Sequence, residues 1–192
     1  TGVSLAQLIY YNKMTGEGVH NQFQNTATME RTIIGVDSFA GLPDGEGHAR
    51  WRKGEFTHGG WLPYGMTHPT IARVDRVTKD EVYHFLTTLK LDLPVLIASP
   101  YNEIDDLPTQ KLALVHIDCN LYQSTKEALN LIKDRLQNVA IIMFDDWFCF
   151  CGDPTKGEQK AFAEFLQQNA HWQAIEFLRY GEKAKAFLIR QA

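Results

Sequence analysis

Three acidic residues stand where two apolar runs break off: Asp118 after Leu114-Val-His-Ile117, and Asp145-Asp146 after Ile141-Ile-Met-Phe144. Carboxylate oxygens are hard donors that suit Mg2+, and an ionised carboxylate accepts a proton from a hydroxyl that must lose one. A short aliphatic run reads as a buried parallel strand, and open α/β sheets hold their ligands beyond the C-terminal ends of such strands. The pattern therefore admits two readings. Either the three acids converge on one divalent cation, or they are solvated loop and helix caps.

The elements that must position them alternate along the chain. Ser4 to Lys13 has helical character, and Thr32 to Val36 reads as a strand ending at Asp37-Ser38. Lys79 to Leu89 is predicted to be a helix with Val82, Phe85, Leu86 and Leu89 on one face, followed by a strand at Val95 to Ala98. After Asp118, the residues Leu121, Ala128, Leu129, Ile132 and Leu136 recur at helical spacing and lead to the strand before Asp145, which makes a βαβ unit. Glu158 to Gln168 reads as a helix burying Ala161, Phe162, Phe165 and Leu166. Trp172 to Leu178 and Ala184 to Ile189 are strand-like and joined by a short Gly-containing connection, which predicts an antiparallel hairpin. Without repeats or low-complexity linkers, the expected fold is a single α/β domain over residues 1–192, with a mostly parallel sheet closed by that hairpin.

Composition narrows the function. A chain of 192 residues, 44% hydrophobic, can bury a sizeable core. A net charge of -4 and a pI near 5.9 leave no electrostatic footprint for a nucleic-acid backbone, so nucleic acid is not expected as a partner. No run approaches the roughly 18 to 20 apolar residues that span a bilayer, and no signal-peptide layout opens the chain. The expectation is a soluble, cytoplasmic protein without a membrane partner.

Three cysteines, an odd number, argue against a disulfide framework. Cys149 and Cys151 alternate with aromatics and have no second pair at zinc-finger spacing, whereas Cys119 lies between Asp118 and Asn120 without an identifiable base to ionise it. Residues 39–70 form a long stretch rich in Gly, Pro, His and Trp, expected to serve as a substrate or lid loop. In it, Trp51 and Trp61 are candidates to stack on an acceptor, and His48, His58 or His68 to assist proton transfer; each histidine alone reads equally as a surface residue. Lys156-Gly-Glu158-Gln159-Lys160 either closes another side of the pocket or is a solvated helix start, and Asp105-Asp106 reads as a polar turn.

Asp37-Ser-Phe-Ala-Gly41-Leu-Pro43, His116-Ile-Asp118-Cys-Asn120-Leu-Tyr122-Gln-Ser124-Thr125 and Phe144-Asp145-Asp146 together resemble the macrocin O-methyltransferase family, also called the TylF/MycF family. The resemblance covers nearly the whole chain. It implies a Rossmann-like class I methyltransferase sandwich, S-adenosylmethionine and Mg2+ as cofactors, and methylation of a hydroxyl on a sugar or glycosylated natural product. By the same resemblance Asp118, Asp145 and Asp146 are the metal ligands, with Asp118 also the general base. Gly2, Ser4, Asp37, Ser38, Ser99 and Asp118 would hold the cofactor, Asp37 by offering two acceptor oxygens to the ribose diol. Asn120 and Tyr122 join His48, Trp51 and Trp61 as acceptor-side candidates. A small hydroxylated acceptor and a homo-oligomer are the implied partners.

The chain departs from the family pattern in three places. It opens at Thr1-Gly2-Val3-Ser4, which resembles the end of a Gly-rich turn whose preceding strand is missing. Asn120 stands where many relatives carry Asp, and Ser99-Pro100-Tyr101 replaces a Gly-x-Phe-like turn. Two other readings follow from the same residues. One is a methyltransferase for catechol-like small molecules, and the other is an inactive Rossmann-like binding module.

Overall fold

The computed structural model describes residues 32–45, 53–54 and 77–192. The expected helix at 4–13, Gly2, Ser4, His48, Trp51, His58, Trp61, His68 and most of the 39–70 loop lie outside these residues. The chain divides into two compact units, Thr1–Pro100 and Tyr101–Ala192.

In the first unit, strands β1 (Ile34–Asp37) and β2 (Val95–Ala98) pair in parallel, with Ile34 across from Val95 and Asp37 across from Ala98. Both are near-continuous aliphatic runs, as expected of parallel strands. Helix α1 (Lys79–Thr88) begins at a capping box: Thr78 Oγ1 accepts the Glu81 backbone N–H, and Glu81 Oε2 accepts that of Thr78. Leu86 is fully buried, packed by Ile33, Val82, Phe85 and Leu91. Leu89, expected on the same face, is instead the C-cap and is 43% exposed. Lys90 follows it with φ +56, so the chain leaves the helix before Leu89 can turn inward.

The second unit opens with a 3-10 turn at Tyr101–Glu103 and continues through β3 (Leu112–Ile117), α2 (Tyr122–Ile132), β4 (Leu136–Phe144), α3 (Gly157–Gln168), β5 (Trp172–Tyr180) and β6 (Ala184–Gln191). Its sheet runs β3-β4-β6-β5. The β3 and β4 strands are parallel and joined by α2, giving the expected βαβ unit, and β5 and β6 form the expected hairpin. β4 also pairs with β6 antiparallel, so among the described strands parallel and antiparallel pairings are equal in number, against the expectation of a mostly parallel sheet. Leu136 is a second difference: it is buried at the first position of β4, because α2 stops at Ile132.

One face of this sheet carries the core. Phe144 and Ile142 of β4, Phe187 and Ile189 of β6, and Ala161, Phe162 and Phe165 of α3 are buried there. The rings of Phe144 and Phe162 lie 4.9 Å apart, and Trp147 lies 4.7 Å from Phe187, within the range of favourable edge and tilted aromatic pairs. This aromatic cluster anchors the chain immediately after β4, where the acidic pair stands. No helix among the described residues is long and apolar enough to cross a membrane.

Candidate active site

Strand register brings the acids of the second unit together. Val115, His116 and Ile117 of β3 face Ile142, Met143 and Phe144 of β4 in order, and the Asp145 N–H continues the ladder by donating to the Ile117 carbonyl at 3.0 Å. Asp118 and Asp145 are thus the first residues beyond two adjacent parallel strand ends. After Asp118 the backbone reverses sharply, with the Leu121 N–H donating to the Cys119 carbonyl at 2.6 Å and Asn120 at φ +58. Asn tolerates this left-handed conformation better than most residues, which is a local reason for its presence there. Its side chain is buried. The turn starts α2, where Thr125 is fully buried and its hydroxyl donates to the Leu121 carbonyl at 2.8 Å.

The carboxylates differ in environment. Burial raises the Asp118 carboxyl to about 6, with the neighbouring Asp146 and Asp145 charges adding to the shift. Burial also raises Asp146, which is 5% exposed; its Oδ1 accepts a hydrogen bond from Cys149 Sγ at 2.8 Å and lies 3.9 Å from Lys183 Nζ. Its Oδ2 is buried and has no N–H, O–H or S–H donor beside it, and a side-chain hydrogen bond with the neighbouring Asp118 carboxyl partly offsets the rise. Asp145 is pulled the other way, held below the usual carboxylate range by His116, whose Nε2 is 3.6 Å from Oδ1. Glu158, only 1% exposed, accepts the Asp146 backbone N–H through Oε2 at 2.9 Å, and burial pushes its carboxyl well above normal. Burial likewise raises the Tyr180 phenol, whose hydroxyl is unpartnered and which feels the charges of Asp145 and Glu158.

Four carboxylates within electrostatic reach of one another, two of them with an unpartnered buried oxygen, form a donor set that a hard divalent cation suits. As the side chains lie, no three His, Cys, Asp or Glu among the described residues are grouped to grip a metal ion. Asp145 is turned to His116, and Asp146 Oδ1 to Cys149.

Cys119 and Cys149 are poor nucleophiles. Burial pushes the Cys119 thiol far up, and it contacts the Tyr101 hydroxyl at 3.4 Å; burial and the Asp146 hydrogen bond push Cys149 up to about 12. Tyr122, an acceptor-side candidate, has its hydroxyl donated to Glu164 Oε2 at 2.8 Å and its ring 3.9 Å beneath Lys160 Nζ. It ties α2 to α3.

In the first unit, Asp37 closes β1. Its Oδ1 accepts the Phe39 N–H at 2.7 Å, and Ser38 Oγ accepts that of Ala40 at 3.2 Å. The hydroxyl of Ser99, directly after β2, donates to the Pro100 carbonyl at 3.3 Å. Asp37 and Ser99 thus stand at the C-terminal ends of a parallel pair, joined there by the Ser99 N–H to Asp37 carbonyl bond of 3.1 Å.

His116, Tyr180 and Lys183 escaped sequence reasoning. His116 was detectable, since it lies two residues before Asp118 in a strand and so shares its face. Tyr180 and Lys183 reach the acids only through the β6 pairing, which no local pattern announces. Glu158 was legible as part of a pocket-closing segment, but its burial was not.

The model of the family described as macrocin O-methyltransferase (TylF) matches residues 19–171. No curated protein sequence matches the chain. Among solved structures, the O-methyltransferase NovP aligns over 85% of this chain and 61% of its own, at 18% identity and a TM-score of 0.57. CalS11, a calicheamicin methyltransferase, aligns over 82% and 60% at 22% identity and a TM-score of 0.48. A putative methyltransferase from Streptococcus mutans, in complex with SAH, aligns over 85% and 90% at 12% identity and a TM-score of 0.45. The chain therefore spans about three-fifths of the length of NovP, and that likeness establishes the α/β fold.

Proposed function

Because this chain belongs to the macrocin O-methyltransferase (TylF) family, we propose that it transfers a methyl group from S-adenosylmethionine to a hydroxyl of a sugar or glycosylated natural product. Mg2+ would be held by Asp118, Asp145 and Asp146. The observation that carries this reading is the trio itself: carboxylates at the ends of adjacent strands, buried enough that one is raised to about 6 and another keeps a buried oxygen unpartnered.

In the reaction, the acceptor oxygen forms a bond to the methyl carbon as the carbon–sulfur bond breaks, S-adenosylhomocysteine leaves, and the hydroxyl proton goes to Asp118. A bound Mg2+ supplies positive charge that makes the acceptor hydroxyl easier to deprotonate and helps to orient it. With no cation bound, burial raises Asp118 to about 6, so at neutral pH it is mostly ionised and open to a cation or to a proton. His116 holds Asp145 ionised for the cation.

Asp37 would accept hydrogen bonds from the cofactor ribose. Its bond to the Phe39 N–H already fixes the carboxylate rotamer, which lowers the entropy lost on binding. Ser38 and Ser99, beside it, and Gly2, Ser4 and Asp118 are the remaining cofactor contacts in this reading. In the same reading residues 39–70 are the substrate loop, and His48, Trp51, Trp61, Asn120 and Tyr122 are the acceptor-side residues.

Isothermal titration with S-adenosylmethionine, with and without Mg2+, tests the reading. Binding should be lost in Asp37→Ala, and its Mg2+ dependence in Asp118→Ala. A folded protein that binds neither cofactor nor metal would rule the proposal out.

A further inference from the structure

We propose that Glu158 is a positioning residue for the metal-binding acids, holding the backbone of Asp146 so that its free oxygen stays available to a cation. The inference rests on the metal-binding reading above.

Glu158 occupies the second position of α3 and is 1% exposed. One oxygen accepts the Asp146 N–H at 2.9 Å. The next residue repeats the attachment: Gln159 Nε2 donates to the Trp147 carbonyl at 2.7 Å. The first turn of α3 therefore grips two successive residues of the acidic turn, one by its N–H and one by its C=O. Gly157 sets the helix start close enough to do so. It has φ +52, and a Cβ there would lie 2.6 Å from the Phe150 ring and 3.5 Å from the Asn120 carbonyl oxygen.

Packing does not explain a carboxyl at this place. A buried acid surrounded by three others is a costly choice where an apolar side chain of similar volume fills the same space. What the carboxyl group provides, charged or neutral, is an acceptor oxygen for one backbone N–H. With its main chain fixed and Oδ1 engaged by Cys149, Asp146 keeps Oδ2 buried and unpartnered. An oxygen left this way has no protein donor to give up when a hard cation arrives, and side chains that orient metal ligands are typically worth about 10- to 100-fold in metal affinity.

Mn2+, followed by electron paramagnetic resonance, serves as the probe, because its free and bound signals differ without any need for turnover. The full chain is compared with Glu158→Gln, Glu158→Leu and Asp146→Asn. Glu158→Gln keeps an acceptor oxygen and should bind Mn2+ within about threefold of wild type, whereas Glu158→Leu should weaken it by about 10- to 100-fold. The circular dichroism spectrum should be unchanged in both. Should Glu158→Leu fail to fold, Gln159→Leu removes the second attachment from a half-buried site and is expected to weaken Mn2+ in the same direction. Wild-type affinity in the folded Glu158→Leu or Gln159→Leu protein overturns the positioning role while leaving the metal reading intact. Equal weakening in Glu158→Gln and Glu158→Leu also overturns it, since charge rather than the acceptor bond would then be responsible. Absence of Mn2+ binding in wild type, matching Asp146→Asn, overturns the metal reading and the inference with it.

Discussion

His116 Nε2 lies 3.6 Å from Asp145 Oδ1, linking the penultimate residue of β3 to the first residue beyond β4. This contact is the main reason that Asp145 titrates low while Asp118 and Asp146, on either side of it, titrate high. Replacing His116 by Phe should raise the Asp145 carboxyl, visible by carbon-13 NMR of the aspartate side chains. Methyl transfer at neutral pH should fall by about tenfold, as for other residues that orient ligating carboxylates. An unmoved Asp145 resonance in a folded variant would refute the pairing.

Asp118 makes metal-free stability depend on pH in a defined direction. Its pKa rises from 3.8 unfolded to about 6 folded, so between these values the folded state binds the extra proton. Stability from this group is complete below 3.8 and is lost as pH climbs to about 6. Thermal midpoints of wild type minus those of Asp118→Asn, recorded with a chelator present, should fall across that window and level off above it. Methyl transfer in Asp118→Asn should drop by about 10²- to 10⁴-fold, the usual worth of a general base.

Gly157 combines a left-handed backbone with a ring in the way of any Cβ. Gly157→Ala should cost about 1 to 3 kcal/mol of stability, read from urea denaturation. Gly181 also has positive φ, but its Cβ direction is open. Gly181→Ala should therefore be the milder of the two, and an inverted order would contradict the close approach at Phe150.

The thiols should differ in reactivity. Cys119 and Cys149 are held protonated by burial, whereas Cys151 is exposed. Iodoacetamide at pH 8 should label Cys151 first, by peptide mass spectrometry, and labelling confined to Cys151 should leave methyl transfer intact. Early labelling of Cys149 would show that its bond to Asp146 does not hold in solution.

The parts of the site carried by short continuous runs were legible in the sequence. Apolar residues ending at Asp118 and Asp145 gave two strands and their crossover helix, and the Gly-containing connection near residue 181 gave the hairpin. Leu136 misled because its spacing from Ile132 also fits a helix, and only the strand pairing at Leu112 decides the matter. Leu89 misled because periodicity does not register where a cap turns the chain away. The antiparallel β4–β6 pairing brings Lys183 and Tyr180 to the acids from nearly forty residues downstream, a relation that no local pattern encodes. Glu158 looked like an ordinary acidic residue in a first helical turn, since attraction to the helix N-terminus and a buried bond to Asp146 leave the same letter. Asp37, Ser38 and Ser99 stand at strand ends as expected.

The ladder between β3 and β4 also divides the chain into stretches that tolerate insertions and stretches that do not. Pairing is continuous from Leu114 and Ile141 to Ile117 and Phe144, but irregular between Leu112 and Leu114. β4 is likewise locked to β6 from Val139 onward. A residue inserted between Arg135 and Asn138 is absorbed by the irregular stretch, and the acids stay in place. One inserted between Ile141 and Phe144 rotates everything after it onto the opposite face, because side chains alternate with a period of two. Length variation among relatives should therefore gather upstream of Val139, with gaps excluded from the six residues that precede Asp145.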